Sequence, residues 1–319
     1  MEECKVFEKL GCKTVIVDDG WQCDNMLRGY AYCGDWKVVP TKVPDMRAFV
    51  DAVHQTGMKF VLWYSVPYIG EFSQAFIDFN DKMLYRDGPE GGRFYVIDPR
   101  YPETRQFLID LYCNAVREWD VDGFKLDFVD HFKPSGLVKE GLDYVSVYDA
   151  VDRLLKDVIK SLKEIKPEIM IEFRQTYMGP LMRAYGNMLR AIDCPNDSWT
   201  NQQNTLALRM TSGDTAVHSD MVMWNYEESA ECAAFQLTRV LFAVPQISVR
   251  SSMMNEKHSQ MVKHYLALID MVDSEGMGNY ECAVYDCCGE EVYREELRLQ
   301  ELTKISKVPI NGTVYLTEK

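Results

Sequence analysis

Two hydrophobic periods alternate along the chain. Short apolar runs, rich in β-branched and aromatic residues, occur at Lys13–Asp18 (KTVIVD), Lys59–Ser65 (KFVLWYS), Asp122–Phe128 (DGFKLDF) and Ile169–Phe173 (IMIEF). Further runs follow at Met188–Asp193, Ala216–Ser219 and Gln246–Arg250. Their length and content predict buried strands. Between them the apolar positions fall at helical spacing: Pro44–Thr56, Glu103–Trp119, Asp149–Ile165, Leu181–Asn187, Ala230–Phe242 and His258–Val272. In Glu103–Trp119, for example, Phe107, Leu108, Leu111, Ala115 and Val116 share one face. Phe72–Tyr85 reads as mixed loop and helix.

Strand alternating with helix calls for a parallel sheet with helical crossovers. The expected fold is therefore α/β, a TIM-type (β/α)8 barrel. The chain opens on a helix instead of a strand: Val6, Phe7 and Leu10 share a face and Gly11 closes it. The expected barrel thus lacks its first strand and keeps an unpaired edge, an aggregation liability. From Asn279 the texture changes to short strand-like pieces, Tyr280–Asp286, Arg298–Leu302 and Gly312–Leu316, with a hairpin-type turn at Asn311-Gly312. The expected organisation is a barrel over 1–275 and a β-rich C-terminal segment over 276–319.

Composition narrows the function. The 319 residues carry a net charge of −14, which disfavours nucleic acid and anionic membrane surfaces as partners. No apolar run approaches the roughly 18 residues of a membrane span, and no signal peptide is visible at the start. The ten cysteines are scattered without a CxxC pair, so neither a zinc site nor a disulfide framework is expected, and the usage suits a cytoplasmic protein. No HxH pair is present, and only His131 and His218 lie near strand ends. Neither a metal nor an organic cofactor is expected.

The candidate chemistry sits at the strand ends. Asp18 and Asp19 follow VIV, Asp127 ends FKL, Glu172 lies in IMIEF, Asp193 follows RAI, and Asp197 and Asp220 lie beyond strand-like runs. In a barrel these ends meet at the face where active sites form. One or two such residues could cap helices, but so many carboxylates at one face is electrostatically costly without a function. Trp21, Trp36, Trp63, Trp199 and Trp224 accompany them. Carboxylates accept from sugar hydroxyls and indole faces pack on a pyranose, so a carbohydrate substrate is expected. Two carboxylates suffice for glycoside hydrolysis. Lys125 precedes Asp127 by two residues and points to the same side of its strand, where its charge would keep Asp127 ionised, as a nucleophile requires.

These segments, in order, resemble the α-galactosidases of glycoside hydrolase family 36, the melibiases, and more distantly those of family 27. The resemblance runs from about Gly11 to Arg250. VDDGW (Val17–Trp21) is similar to the DDGW segment, whose two Asp residues bind sugar hydroxyls; this would make Asp18 and Asp19 substrate ligands. CGDWKVVPTKVPDM (Cys33–Met46) is similar to the segment that places Trp36 at the pocket wall, and GMKFVLW (Gly57–Trp63) to the strand that ends at Trp63. DGFKLDF is similar to the K-x-D strand, implying Lys125 as a ligand and Asp127 as nucleophile. RAIDCPND (Arg190–Asp197) is similar to the acid/base segment, implying Asp193 as acid/base with Arg190 beside it. The spacing there is one residue longer than the usual WCSDxTD, which keeps Asp197 as a second candidate.

Two loops depart from the family pattern. Tyr64-Ser65-Val66-Pro67 replaces Glu-Pro-Glu, and Glu172-Phe173-Arg174-Gln175 replaces a Gly-rich loop, bringing Glu172 and Arg174 to the substrate. The resemblance implies a retaining hydrolase that releases terminal α-linked galactose from oligosaccharides. The alternatives are a related α-N-acetylgalactosaminidase, or a truncated, inactive carbohydrate-binding barrel. An open edge would gain a partner in a homo-oligomer, though nothing in the sequence requires one.

Overall fold

The computed structural model describes residues 1–213, 215–241, 243–275, 279–285, 291–298 and 313–316. In chain order these form α1 (Glu2–Leu10), β1 (Thr14–Val17), α2 (Met46–His54), β2 (Lys59–Ser65), β3 (Tyr68–Gly70), α3 (Gln74–Phe79), β4 (Met83–Asp87) and β5 (Phe94–Ile97). Next come α4 (Pro102–Trp119), β6 (Gly123–Asp127), α5 (Val147–Ile165), β7 (Met170–Arg174), β8 (Met188–Arg190), α6 (Ser198–Thr211), β9 (Ala216–Val222) and α7 (Ala230–Arg239). β10 (Val244–Ile247), α8 (Glu256–Glu275), β11 (Asn279–Tyr285), β12 (Glu291–Arg298) and β13 (Thr313–Leu316) complete the order. The strand-helix alternation is that of the TIM-type (β/α) barrel. Two compact units divide it, one built on Ile16–Gln55 and Lys59–Tyr177, the other on Met1–Val15 and Met178–Tyr315.

In the first unit the parallel strands run in the order β1-β2-β6-β7. The register sets Trp63 opposite Lys125, Ser65 opposite Asp127, and Lys125 opposite Glu172. β6 is buried along its whole length. A Cβ on Gly123 would meet the Met170 carbonyl oxygen at 2.3 Å, so the close approach of β6 to β7 needs glycine there. The helices form for local reasons. Ser146 caps α5 by accepting from the Asp149 N–H at 3.2 Å. Val147, Ala150, Val151, Leu154, Leu155, Val158 and Leu162 then line its buried face, and each larger side chain contributes roughly 1.5–3 kcal/mol. A small antiparallel sheet, β3-β5-β4, lies within this unit; the sequence pattern, broken by short turns, did not show it.

The second unit carries parallel strands in the order β8-β9-β10-β13. β10 begins earlier than the QISVR run suggested, and Leu181–Asn187 forms only a short 3-10 turn at Pro180–Ala184. β13 pairs with β10, with Thr313 opposite Gln246 and Val314 opposite Ile247. The outer edge of β10 is thereby occupied by a strand from the C-terminal segment. Gly11 ends α1 at φ 118° and lies against Leu266 of α8, the left-handed conformation that favours glycine. The expected turn at Asn311-Gly312 lies outside the described residues, as does most of the run Arg298–Leu302.

Just before β6 begins, Asp122 organises the first unit. Its Oδ2 accepts from the Phe60 N–H at 2.8 Å and pairs with His54 Nε2 at 2.6 Å. Its Oδ1 lies 3.3 Å from both Lys59 and Lys166 Nζ. Burial pushes this carboxyl up, but the Phe60 N–H, His54 and Lys166 outweigh it and hold the group below its ordinary range. A depressed folded pKa stabilises above the unfolded value, near 3.9, and the contribution fades as pH falls through the folded one. Asp122→Ala is expected to lower stability by about 2–4 kcal/mol at pH 7. Urea unfolding should show that gap full above about pH 4 and closing below it.

Candidate active site

Of the carboxylates predicted in the first unit, Asp18, Asp19 and Asp127 stand at strand ends, each with its own partner, and Glu172 lies within β7. Asp18, after β1, is paired with Lys125 Nζ at 3.1 Å. Asp19 instead accepts from Gln22 Nε2 at 2.7 Å. Burial pushes the Asp19 carboxyl up, against the Gln22 hydrogen bond. The adjacent aspartates therefore differ in character: one is the counter-ion of a buried lysine, the other a hydrogen-bonded carboxyl.

Asp127 closes β6 and is gripped at both oxygens. Oδ1 accepts from Arg174 Nε at 2.6 Å and from the Phe128 N–H at 2.7 Å. Oδ2 accepts from Trp63 Nε1 at 3.1 Å. The strand register delivers Trp63, two residues before the position opposite Asp127 on β2, and Arg174 comes from the end of β7. The guanidinium lies over the rings of Phe128 at 5.2 Å and Tyr177 at 5.8 Å, cation–π contacts that help to hold it. Tyr177 in turn donates to the Leu126 carbonyl at 2.9 Å. Phe128 reaches this place through a left-handed backbone, φ 63°. Glu172, level with Lys125, is fully buried.

Trp21, Trp36 and Trp63 form one packed group. Trp21 donates from Nε1 to the Trp63 carbonyl at 2.9 Å and so braces β2. Trp36, in a left-handed conformation at φ 51°, packs against Trp21, Trp63 and Tyr64. Tyr30 stacks on Trp63 with ring centroids 6.4 Å apart. Phe128, Tyr177 and Tyr30 carried no sequence signal, because a left-handed loop residue and loop aromatics have no periodicity. Trp199 is exposed on α6, against Arg239, and Trp224 packs on His258.

The second unit holds the other predicted carboxylates. Asp193 is exposed just beyond β8, and Arg190 Nη1 donates to its Oδ1 at 2.7 Å. Arg190 is fully buried, with its Nε on Gln246 Oε1 at 3.1 Å and its Nη2 on Asp220. A residue expected to bind substrate is thus turned towards protein acceptors. Asp197 stands at the start of α6. It caps α6, accepting from Thr200 Oγ1 at 2.6 Å and the Thr200 N–H at 3.0 Å, and these bonds hold its carboxyl below the usual range. Helix α6 was absent from the sequence reading, although Asp197 is its N-cap signal. Asp220, seen in the sequence only as one more strand-end acid, is wholly buried. Among the described residues no group of three or more His, Cys, Asp or Glu is placed to hold a metal ion, and no helix is long and apolar enough to cross a membrane.

Comparison with known proteins follows the same lines. An alpha-galactosidase of Geobacillus stearothermophilus, AgaA of family GH36, superposes with TM-score 0.71 at 18% identity, over 84% of this chain and 39% of that one. An alpha-galactosidase of Lactobacillus brevis gives TM-score 0.68 at 19% identity, over 85% and 38%. In sequence, the chain is 28% identical to the A type blood alpha-D-galactosamine galactosaminidase of Flavonifractor plautii over 37% of this chain and 12% of that protein. It is 28% identical to the alpha-galactosidase Mel36A of Lactobacillus acidophilus over 38% and 17%. The chain therefore spans only a small part of the length of these curated relatives. The melibiase family model matches residues 3–188, more than half of the sequence, and the chain belongs to the melibiase family.

Proposed function

We propose that this chain is a retaining glycoside hydrolase acting on terminal α-linked galactose. The observation that carries the reading is the Asp127 carboxylate, held on one oxygen by Arg174 and the Phe128 N–H and on the other by Trp63 Nε1. A nucleophilic carboxylate must be ionised and fixed in direction. The donors fix its direction, and Oδ2, which accepts from Trp63 alone among the described residues, is the oxygen that attacks. Asp127 forms a covalent bond to the anomeric carbon while Asp193 gives its proton to the departing oxygen. Asp193 then takes a proton from water, which displaces Asp127 and releases the sugar. The pairing of Asp197 with α6 supports Asp193 over Asp197 in this role. Lys125, Asp18 and Asp19 present charged and hydrogen-bonding groups to the sugar hydroxyls, and Trp63 and Trp36 form the apolar wall. Solved variants of AgaA in complex with raffinose and stachyose share the fold, which makes α-galactoside oligosaccharides the substrates to try first.

Hydrolysis of p-nitrophenyl α-galactoside is expected, with turnover lost in Asp127→Ala. Asp193→Ala should spare this activated substrate more than raffinose, and added azide should then give a galactosyl azide of retained configuration. A folded chain without turnover, or inverted product, would sink the assignment. The galactosaminidase among the relatives makes p-nitrophenyl α-N-acetylgalactosaminide the control substrate; faster turnover of it would move the reading to that sugar.

Arg174→Met is expected to cost about 10–100-fold in kcat/KM with the protein still folded, since a charge-assisted hydrogen bond is worth about 1.5–3 kcal/mol. Arg174→Lys keeps the charge but loses the stacked plane, and should recover only part. Steady-state kinetics beside circular dichroism checks both.

A further inference from the structure

A contradiction surrounds Asp193. An acid catalyst must carry a proton at one stage, yet the Arg190 guanidinium touches its carboxylate at 2.7 Å and a cation that close favours the ionised form. The structure holds a second carboxylate on the same guanidinium. We propose that Asp220 is a positioning residue for Asp193: it neutralises Arg190 from the buried side and fixes the backbone that carries the acid. The proposal rests on the reading of Asp193 as the acid/base.

The geometry is a ring of four parts within the second unit. Arg190 Nη1 reaches Asp193, and its Nη2 reaches Asp220 Oδ1. Asp220 Oδ2 accepts from the N–H of Cys194, the residue directly after Asp193. One buried carboxylate thus holds both the cation beside the acid and the peptide next to it. Asp220 is itself immobile. Its N–H donates to Asn201 Oδ1 at 2.9 Å, and its carbonyl accepts from Asn201 Nδ2 at 3.2 Å and from Ser219 Oγ at 2.7 Å. The register explains the meeting: Arg190 pairs with His218, and Asp220 lies two residues further along β9, on the same side.

Other groups around the guanidinium have their own roles. Gln246 takes the Arg190 Nε and links it to His218 Nδ1 at 3.1 Å. Burial pushes the Cys194 thiol up to about 12, leaving it uncharged at working pH. Asp197 is committed to α6. Asp193 and Asp220 share the Arg190 guanidinium, so less of its charge falls on Asp193, which can hold and release a proton in turn.

The test compares the pH dependence of kcat/KM on raffinose, a poor leaving group, and on p-nitrophenyl α-galactoside, a good one. The wild type is measured first, with Asp193→Ala to identify the alkaline limb. In Asp220→Asn the whole Arg190 charge falls on Asp193. Its alkaline limb on raffinose is expected to move acidward by about one pH unit. The raffinose to p-nitrophenyl ratio should fall by about 10-fold. The double variant Arg190→Met/Asp220→Leu removes both charges, an exchange that buried pairs often tolerate, and should move the limb the other way. It also decides the matter if Asp220→Asn does not fold. Equal losses on both substrates with unmoved limbs would mean a purely structural network and overturn the proposal alone. A wild type whose alkaline limb survives in Asp193→Ala, or that turns over neither substrate, would overturn the acid/base reading and this inference with it.

Discussion

A carboxylate taken out of water must find a cation or several donors, because the isolated ion is too costly to bury. Five carboxylates of this chain meet that demand in the same way, and the rest of the structure follows from it. Asp122 gathers His54, Lys59 and Lys166. Asp98 is paired with the buried Arg100, which also holds the carbonyls of Ser135 and Leu137. Asp18 takes Lys125, Asp127 takes Arg174, and Asp220 takes Arg190. Asp98 and Arg100 are near neighbours, and there it is the Arg100 contacts to the carbonyls of Ser135 and Leu137 that reach a distant loop. In the other four the cation comes from a different turn or strand, so the ion pair ties together segments far apart in sequence.

The pairs serve different ends. Asp122 precedes β6 and has no exposed surface to offer a ligand beyond its own partners, so its work is cohesion. The pairs of Asp18 and Asp127 stand at the opposite, C-terminal end of their strands. Arg174 is held by aromatic rings as well as by its carboxylate. Its plane is set by packing, and the plane sets the direction of Asp127. A lysine could supply the charge there but not the orientation.

Much of this was legible in the sequence and some was not, for physical reasons. A β-branched run followed by an acid is a local signal, so the strand ends carrying Asp18, Asp127 and Asp193 could be read directly. The K-x-D spacing correctly put Lys125 and Asp127 on one strand, but it assigned the lysine to the wrong carboxylate: Lys125 binds Asp18, and Asp127 binds Arg174. Which cation faces which acid depends on the register between strands, and register is not written in either strand alone. The same is true of Arg190 and Asp220. Helix α6 escaped notice because its buried side includes Asn201 and Thr205 beside Leu206 and Leu208, a face too polar for a periodicity argument. The polar residues are there because Asn201 clasps the backbone of Asp220.

The pairing of β13 with β10 has a consequence for the order of synthesis. A ribosome releases β10 well before Thr313–Leu316, and in between come α8 and the β11–β12 hairpin. During that interval the outer hydrogen-bonding groups of β10 face water or whatever chain lies nearby. Like the pairing of β2 with β6, this contact must wait for a distant segment, which raises its contact order. The nascent chain therefore passes through a stage in which its sheet is nearly built and still adhesive, and chaperones would find their grip there.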